Sequence, residues 1–235
     1  MARPRVHAQL LRDLAARIVG GEWKPGDILP NEAELCATHG ISRGALREAV
    51  RVLAAKGLVE SRSRTGTQVR ARESWNLLDP DVLAWSLAGP LDPHFARSLA
   101  EARVIIEPGA ARRASAAQLA RIEAAYEGMA RSLPDDVEAC TAADVAFHAG
   151  VLEASGNVVL GSLTATISAA LTSLFRLSTS IMRSQERTLG AHRQVLECIR
   201  MRDAEGARAA MLRLLDVSAD DLVPFLGGEK GESGT

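Results

Sequence analysis

The run from Leu29 to Val69, LPNEAELCATHGISRGALREAVRVLAAKGLVESRSRTGTQV, constrains the fold most tightly, because each boundary in it has a local physical cause. Asn31 can cap a first helix, with Glu34 three residues on answering it as a capping box, and Gly40 supplies the left-handed residue that ends it. Ser42 can cap the next helix and Gly57 stops it. Along that second helix Leu46, Val50 and Leu53 recur at i, i+4, i+7 as a buried stripe, which leaves Arg43, Arg47 and Arg51 together on another face. Beyond it, β-prone residues flank a Ser-Arg-Thr-Gly turn, and the chain should fold back as a small hairpin carrying Arg62 and Arg64.

Two capped helices and a basic hairpin are the layout of a winged helix-turn-helix. An amphipathic helix over VHAQLLRDLAARIVGG, with Leu10, Leu14 and Ile18 inward and Gly20-Gly21 at its end, completes a three-helix module. Arg43 and Arg47 fall in the first turns of the second motif helix, where a recognition helix meets base edges, and arginine can read guanine O6 and N7 bidentately. A solvated charged face is the plainer reading of such a stripe. The compound of capped helix pair and basic hairpin favours DNA.

Charge divides the chain at the same place. Residues 1–72 hold 13 Lys and Arg against 7 Asp and Glu, whereas the remainder holds 15 against 22. The basic part can offset phosphate charge and the acidic part would be repelled, so DNA contact belongs to the N-terminal part alone. Cys36, Cys140 and Cys198 are isolated and odd in number, which argues against a disulfide framework or a cysteine-based zinc site. No signal-like or bilayer-spanning apolar run is present, and the expected location is cytoplasmic with no membrane partner. The expected organisation is a DNA-binding domain over 1–73, an all-helical domain over 74–227, to which the family resemblance given below assigns effector binding and dimerisation, and a disordered Gly-rich tail over 228–235.

From about Trp75 the sequence reads as helix, over 79–88, 92–114, 116–132, 135–154, 157–182, 185–201 and 204–225. The breaks fall at Gly89-Pro90, Ser115, Pro134, Ser155-Gly156-Asn157 and Arg202-Asp203. The expected fold class is therefore mainly α, a winged helix-turn-helix followed by an antiparallel helix bundle, and such a bundle can build a ligand cavity between facing helices. Within it Asp144 and His148 stand at i, i+4 on one helix face, within reach of a single ion, and His192 on a later helix is a third candidate. Histidine and carboxylate suit zinc, nickel or manganese, and three protein ligands leave open positions. By spacing alone, a capping or surface pair is the commoner explanation.

The residues from LPNEAEL through GLVE resemble the signature of the GntR family of bacterial transcription regulators. That resemblance implies operator contacts from Ser42, Arg43, Gly44 and Arg47, with Thr65 and Gly66 at the wing tip; Arg51 and Arg64 add basic charge to the same surface. Ala33 stands where several members have arginine, which puts one base or phosphate contact in question. Farther on, DVAFHAGVLEASGN and HRQVLECIRMRDAEGA resemble the all-helical FCD effector domain of the FadR-type branch. Many members of that branch hold a divalent metal with one Asp and three His, against which a carboxylate effector binds. Asp144, His148 and His192 match three of those positions, and the fourth falls on Leu214, which cannot be a ligand. Either the ion persists with three ligands, zinc before nickel or manganese, or the same polar groups take the effector directly.

Arg103 resembles the arginine this domain sends into its cavity to meet an anion, the alternative being a surface ion pair with Glu101 or Glu107. WNLLDPDVLAW, Trp75 to Trp85, resembles the linker and first regulatory helix of a sugar-acid-responsive member of the branch, although Val82, Leu83 and Trp85 could simply pack an interdomain seam. The resemblance implies a homodimeric repressor that binds pseudo-palindromic double-stranded operator DNA and is released by an aldonate such as galactonate, or by another small carboxylate. Asp144, His148, His192 and Arg103 would then form the effector site, with no catalytic residue. Two competing readings are a bundle that only dimerises and a metal-dependent hydrolase; the latter lacks an HExxH-like run.

Overall fold

A computed structural model describes residues 3–62, 65–88, 93–115, 118–177 and 181–220. Arg64 and the tail at 228–235 lie outside the described residues. The chain divides into two compact units, residues 1–90 and 91–235.

The first unit opens with α1 (Arg3–Val19), followed by α2 (Glu32–His39) and α3 (Arg43–Ala55). The capping box at α2 is complete: Glu34 N–H donates to the Asn31 side chain, while the Glu34 carboxylate accepts from Asn31 N–H. Gly40 closes that helix at φ 62°. Ser42 Oγ accepts from Ala45 N–H at the start of α3. Leu46, Ala49 and Leu53 make the buried stripe of α3, with Val50 half-buried at its edge. They meet Leu10, Leu14 and Ile18 of α1 in one core.

Strands β1 (Val59–Arg62) and β2 (Gly66–Val69) then pair antiparallel, with Val59 opposite Val69 and Arg62 opposite Gly66. The segment before α2 adds a third backbone to this hairpin, since Leu29 N–H donates to Thr67 O and Gly26 N–H to Val69 O. Gly57 is required in the turn that leaves α3. It sits at φ 82°, and a Cβ there would meet Ser74 O at 2.2 Å.

Helix α4 (Pro80–Ala88) packs with this unit. Trp75 and Val82 are part of the first core and Trp85 lies against it, so by packing the unit runs past the expected boundary at residue 73. Lys56, at the end of α3, holds the entrance of α4 through Asp79 at 2.6 Å and Asp81 at 2.9 Å. Asp79 also accepts from Asp81 N–H and Val82 N–H, as an N-cap does. Burial pushes the Asp79 carboxyl up, but Lys56 and the Val82 amide outweigh it and hold the pKa below its ordinary value. This contribution is present above the usual carboxylate range and is lost as pH falls through the lowered value. Asp79→Ala should therefore cost the first unit about 1–2 kcal/mol at neutral pH. The loss should shrink in acid, as read by urea melts at pH 7 and pH 3.

The second unit contains α5 (Pro93–Arg113), α6 (Leu119–Ser132), α7 (Val137–Ala154), α8 (Val158–Ser162), α9 (Thr164–Leu177), α10 (Ile181–Arg200) and α11 (Ala204–Asp220). Its core gathers Ile122 and Met129 of α6, Phe147 and Val151 of α7, Ile199 of α10 and Leu214 of α11. The helix expected over 157–182 is divided. Leu163 N–H bonds Leu160 O, three residues back, which tightens the turn after Gly161-Ser162 and offsets α9 from α8. The start expected at 116 and the end at 225 fall outside the described residues. Among those described, no helix is long and apolar enough to cross a membrane.

Candidate functional site

Two groups of residues carry chemistry, one in each unit. On the first, Arg43, Arg47 and Arg51 are exposed along α3, beside the Ser42 cap and Gly44. Arg47 is held side-on from another helix: its Nε lies 2.6 Å from Glu32 Oε1 and its Nη2 3.2 Å from Glu32 Oε2. Arg51 pairs with Glu48 at 2.7 Å and Arg62 with Glu60, each within its own element. Thr65 and Gly66 form the exposed end of the hairpin, with Gly66 at φ 100°. A cleft of about 660 Å³ runs between α3 and the hairpin, with Arg47, Arg51, Arg62 and Thr65 on its walls. This face offers guanidinium groups and wing backbone to a polyanion. Glu32, Glu48 and Glu60 as partners of these arginines were not foreseen in the sequence.

On the second unit, three helices bring their polar groups to one buried point. Asp144 and His148 come from one face of α7, and His192 from α10. Each of the three can offer one ligand atom, and these atoms lie within 4.8 Å of one another. Leu214, on α11, is fully buried and packs in the core instead. Arg103 and Glu107 enter from α5, one turn apart and both buried. Arg103 is thus not in a surface pair. Its Nε donates to Glu107 Oε1 at 2.6 Å inside the unit, and Glu101 is exposed.

Hydrogen bonds set the tautomers of both imidazoles. His192 Nδ1 lies 2.9 Å from Thr188 O, and a carbonyl can only accept, so that nitrogen carries the proton. His148 Nδ1 donates to Glu107 Oε2 at 2.6 Å. Burial alone would raise the Glu107 carboxyl, but Arg103 and His148 outweigh it and hold the pKa at about 2, so the group accepts. Nε2 of each ring then carries a lone pair, which in His148 accepts from Arg103 Nη2 at 3.2 Å.

His192 Nε2 approaches Asp144 Oδ1 to 3.0 Å without hydrogen-bond alignment, and among the described residues neither it nor Asp144 Oδ2 has a hydrogen-bond partner. Two acceptors therefore face each other at a buried point. Buried polar atoms are rarely left so, and a cation between them would satisfy both. The donor set, two imidazole nitrogens and a carboxylate oxygen, fits a zinc-type ion with open positions.

Residues 7–69 match the bacterial regulatory proteins of the gntR family, and residues 98–217 match the FCD domain. The chain belongs to the GntR family. It is a DNA-binding transcriptional regulator with an FCD domain, and the family's members are regulators rather than enzymes, which removes the hydrolase reading. Among its relatives is the galactonate operon transcriptional repressor of Escherichia coli K12, 37% identical over 207 residues, covering 86% of this chain and 90% of that protein. The transcriptional regulator LutR of Bacillus subtilis 168 is 32% identical over 208 residues, covering 83% of this chain and 91% of its own. A solved GntR structure from Streptococcus agalactiae superposes with a TM-score of 0.50 at 26% identity, covering 91% of this chain and 99% of that one.

Proposed function

We propose that this GntR regulator is a cytoplasmic, homodimeric repressor of a sugar-acid or related carboxylate catabolic operon, released from its operator when the acid binds the FCD domain. Two copies of α3 and the wing would engage the half-sites of a pseudo-palindrome. Ser42, Arg43, Gly44, Arg47, Arg51, Thr65 and Gly66, together with Arg64, are the proposed DNA contacts. Asp144, His148 and His192 would hold the divalent ion, zinc before nickel or manganese, and Arg103 would meet the effector carboxylate. When bound, the ion supplies a Lewis-acidic point for an anionic oxygen to approach.

One observation carries the reading: a buried guanidinium lies beside a three-ligand cluster whose Asp144 Oδ2 and His192 Nε2 are unsatisfied. A bundle retained only for dimerisation gains nothing from such atoms, whose desolvation costs about 1–3 kcal/mol each. With the imidazoles neutral, as metal ligands are, Asp144 and Glu107 against Arg103 leave one net negative charge. A divalent ion inverts that sign and makes the site receptive to a monocarboxylate. The likeness to a galactonate operon repressor supports an aldonate as that acid.

The test is a mobility-shift titration on operator fragments with zinc-loaded protein and a panel of aldonates, alongside thermal melts. An inducing acid should raise the melting temperature by mass action and weaken DNA affinity about 5–150-fold, with operator weakening the acid by the same factor. A panel in which no acid shifts either readout overturns the sugar-acid assignment.

A further inference from the structure

Glu107 bonds both the effector arginine and the ligand His148, and nothing in the ligand set or in the effector arginine assigns it a part. Its two oxygens are spent on different partners. Oε1 accepts from Arg103 Nε and Oε2 accepts from His148 Nδ1, each at 2.6 Å, and the carboxylate has no exposed surface. A buried carboxylate in this position costs desolvation that its two partners must offset.

Glu107 takes Nε of Arg103 and Nδ1 of His148 and so leaves the other nitrogens of each to other contacts. With its proton on Nδ1 committed to Glu107, His148 can bind an ion only through Nε2, on the side where Asp144 lies. Arg103 Nη2 stands 3.2 Å from His148 Nε2 and 3.4 Å from Nδ1. With the proton on Nδ1, Nε2 is the acceptor of that contact, so an ion on Nε2 would take the lone pair in place of Nη2 while Glu107 keeps the guanidinium by Nε. Because Glu107 grips Arg103 by Nε, that contact does not use the Nη1 N–H groups, which can meet an anion.

We propose that Glu107 is the positioning residue of this site: one carboxylate fixes His148 as an Nε2 metal ligand and fixes Arg103 end-on towards the effector. Metal and effector affinity are then coupled through a residue that touches neither. The proposal rests on the metal reading above, and it goes beyond it by making α5 part of the metal site. A glutamine can accept from His148 or from Arg103, but its NH2 would then face a donor on the other, so Glu107→Gln breaks one of the two contacts. Outer-shell partners of this kind are worth about 10–100-fold in metal affinity.

The experiment is a zinc competition titration of the metal-stripped full chain against a chromophoric chelator, for wild type, Glu107→Gln and Glu107→Asp, with thermal melts confirming that each variant folds. Glu107→Asp keeps the charge but retracts the carboxylate by one methylene, and it serves if the glutamine variant does not fold. The expected result is zinc affinity about 10–100-fold weaker in Glu107→Gln, and weakened in Glu107→Asp. Cobalt substitution should give an altered visible spectrum in the variants, which a merely structural ion pair would not produce. Folded variants that bind zinc as tightly as wild type, with an unchanged cobalt spectrum, overturn the role of Glu107 alone. A wild-type chain that takes up no zinc overturns the metal reading and this inference together.

Discussion

Arg103→Met should destabilise the helical unit by about 3–5 kcal/mol and abolish the response to any carboxylate effector. The size of the stability loss follows from what is left behind. Glu107 is fully buried, and its pKa of about 2 depends first on the Arg103 charge among the influences that oppose burial. Methionine fills most of the volume but supplies no charge and no donor, so the carboxylate keeps only His148. The energy is a penalty for an unpaired buried charge and not the net worth of the pair, a difference the double variant Arg103→Met with Glu107→Leu can measure. Removing both partners should recover most of the stability while leaving the response absent. Denaturant melts of the three variants check the first part, and thermal shift with the inducing acid checks the second. A single variant as stable as wild type would mean that Glu107 is neutral in the fold.

This pair also shows where sequence reading reached and where it stopped. The capping box at Asn31 and Glu34 and the stop at Gly40 were legible because each is a contact over three to five residues, decided by local backbone geometry. Asp144 and His148 were legible as a pair for the same reason, since i, i+4 on a helix is a fixed distance. Bringing His192 to them needed the packing of α10 against α7, which only family resemblance could supply. Glu107 was missed because Arg103 and Glu107 at i, i+4 also read as an exposed ion pair. A signal did exist. Phe95, Leu99, Arg103 and Glu107 recur every four residues, and all four are buried, so the polar pair continues the apolar stripe of α5. The division of 157–182 was illegible for the opposite reason. Gly161 and Ser162 are tolerated in a helix interior, and only the bond from Leu163 to Leu160 marks the break. The linker helix joined the first unit because Trp75 and Val82 complete a core that begins at Leu10, a long-range fact.

On the DNA side, Arg47→Ala should lower affinity for the specific operator roughly 5–150-fold, the equivalent of about 1–3 kcal/mol for a lost bidentate base contact. The expectation of base readout rests on the orientation of Arg47. Glu32, on α2, takes the Nε and one Nη2 position, which leaves the Nη1 and Nη2 end of the fork pointing away from the pair. Two parallel N–H groups at that end match guanine O6 and N7. An exposed ion pair contributes little to stability, so its value lies in restricting a side chain that is 70% exposed. Arg51 differs, because its partner Glu48 sits on the same helix one turn back and fixes it less firmly against the rest of the motif. Arg51→Ala should weaken operator and scrambled duplex alike and lower the salt slope by about one, as a phosphate contact does. Arg47→Ala should instead reduce the ratio of the two affinities. Fluorescence anisotropy with both duplexes across a salt series separates these outcomes. Equal loss on both sequences for Arg47→Ala would make it a phosphate contact and remove it from base readout.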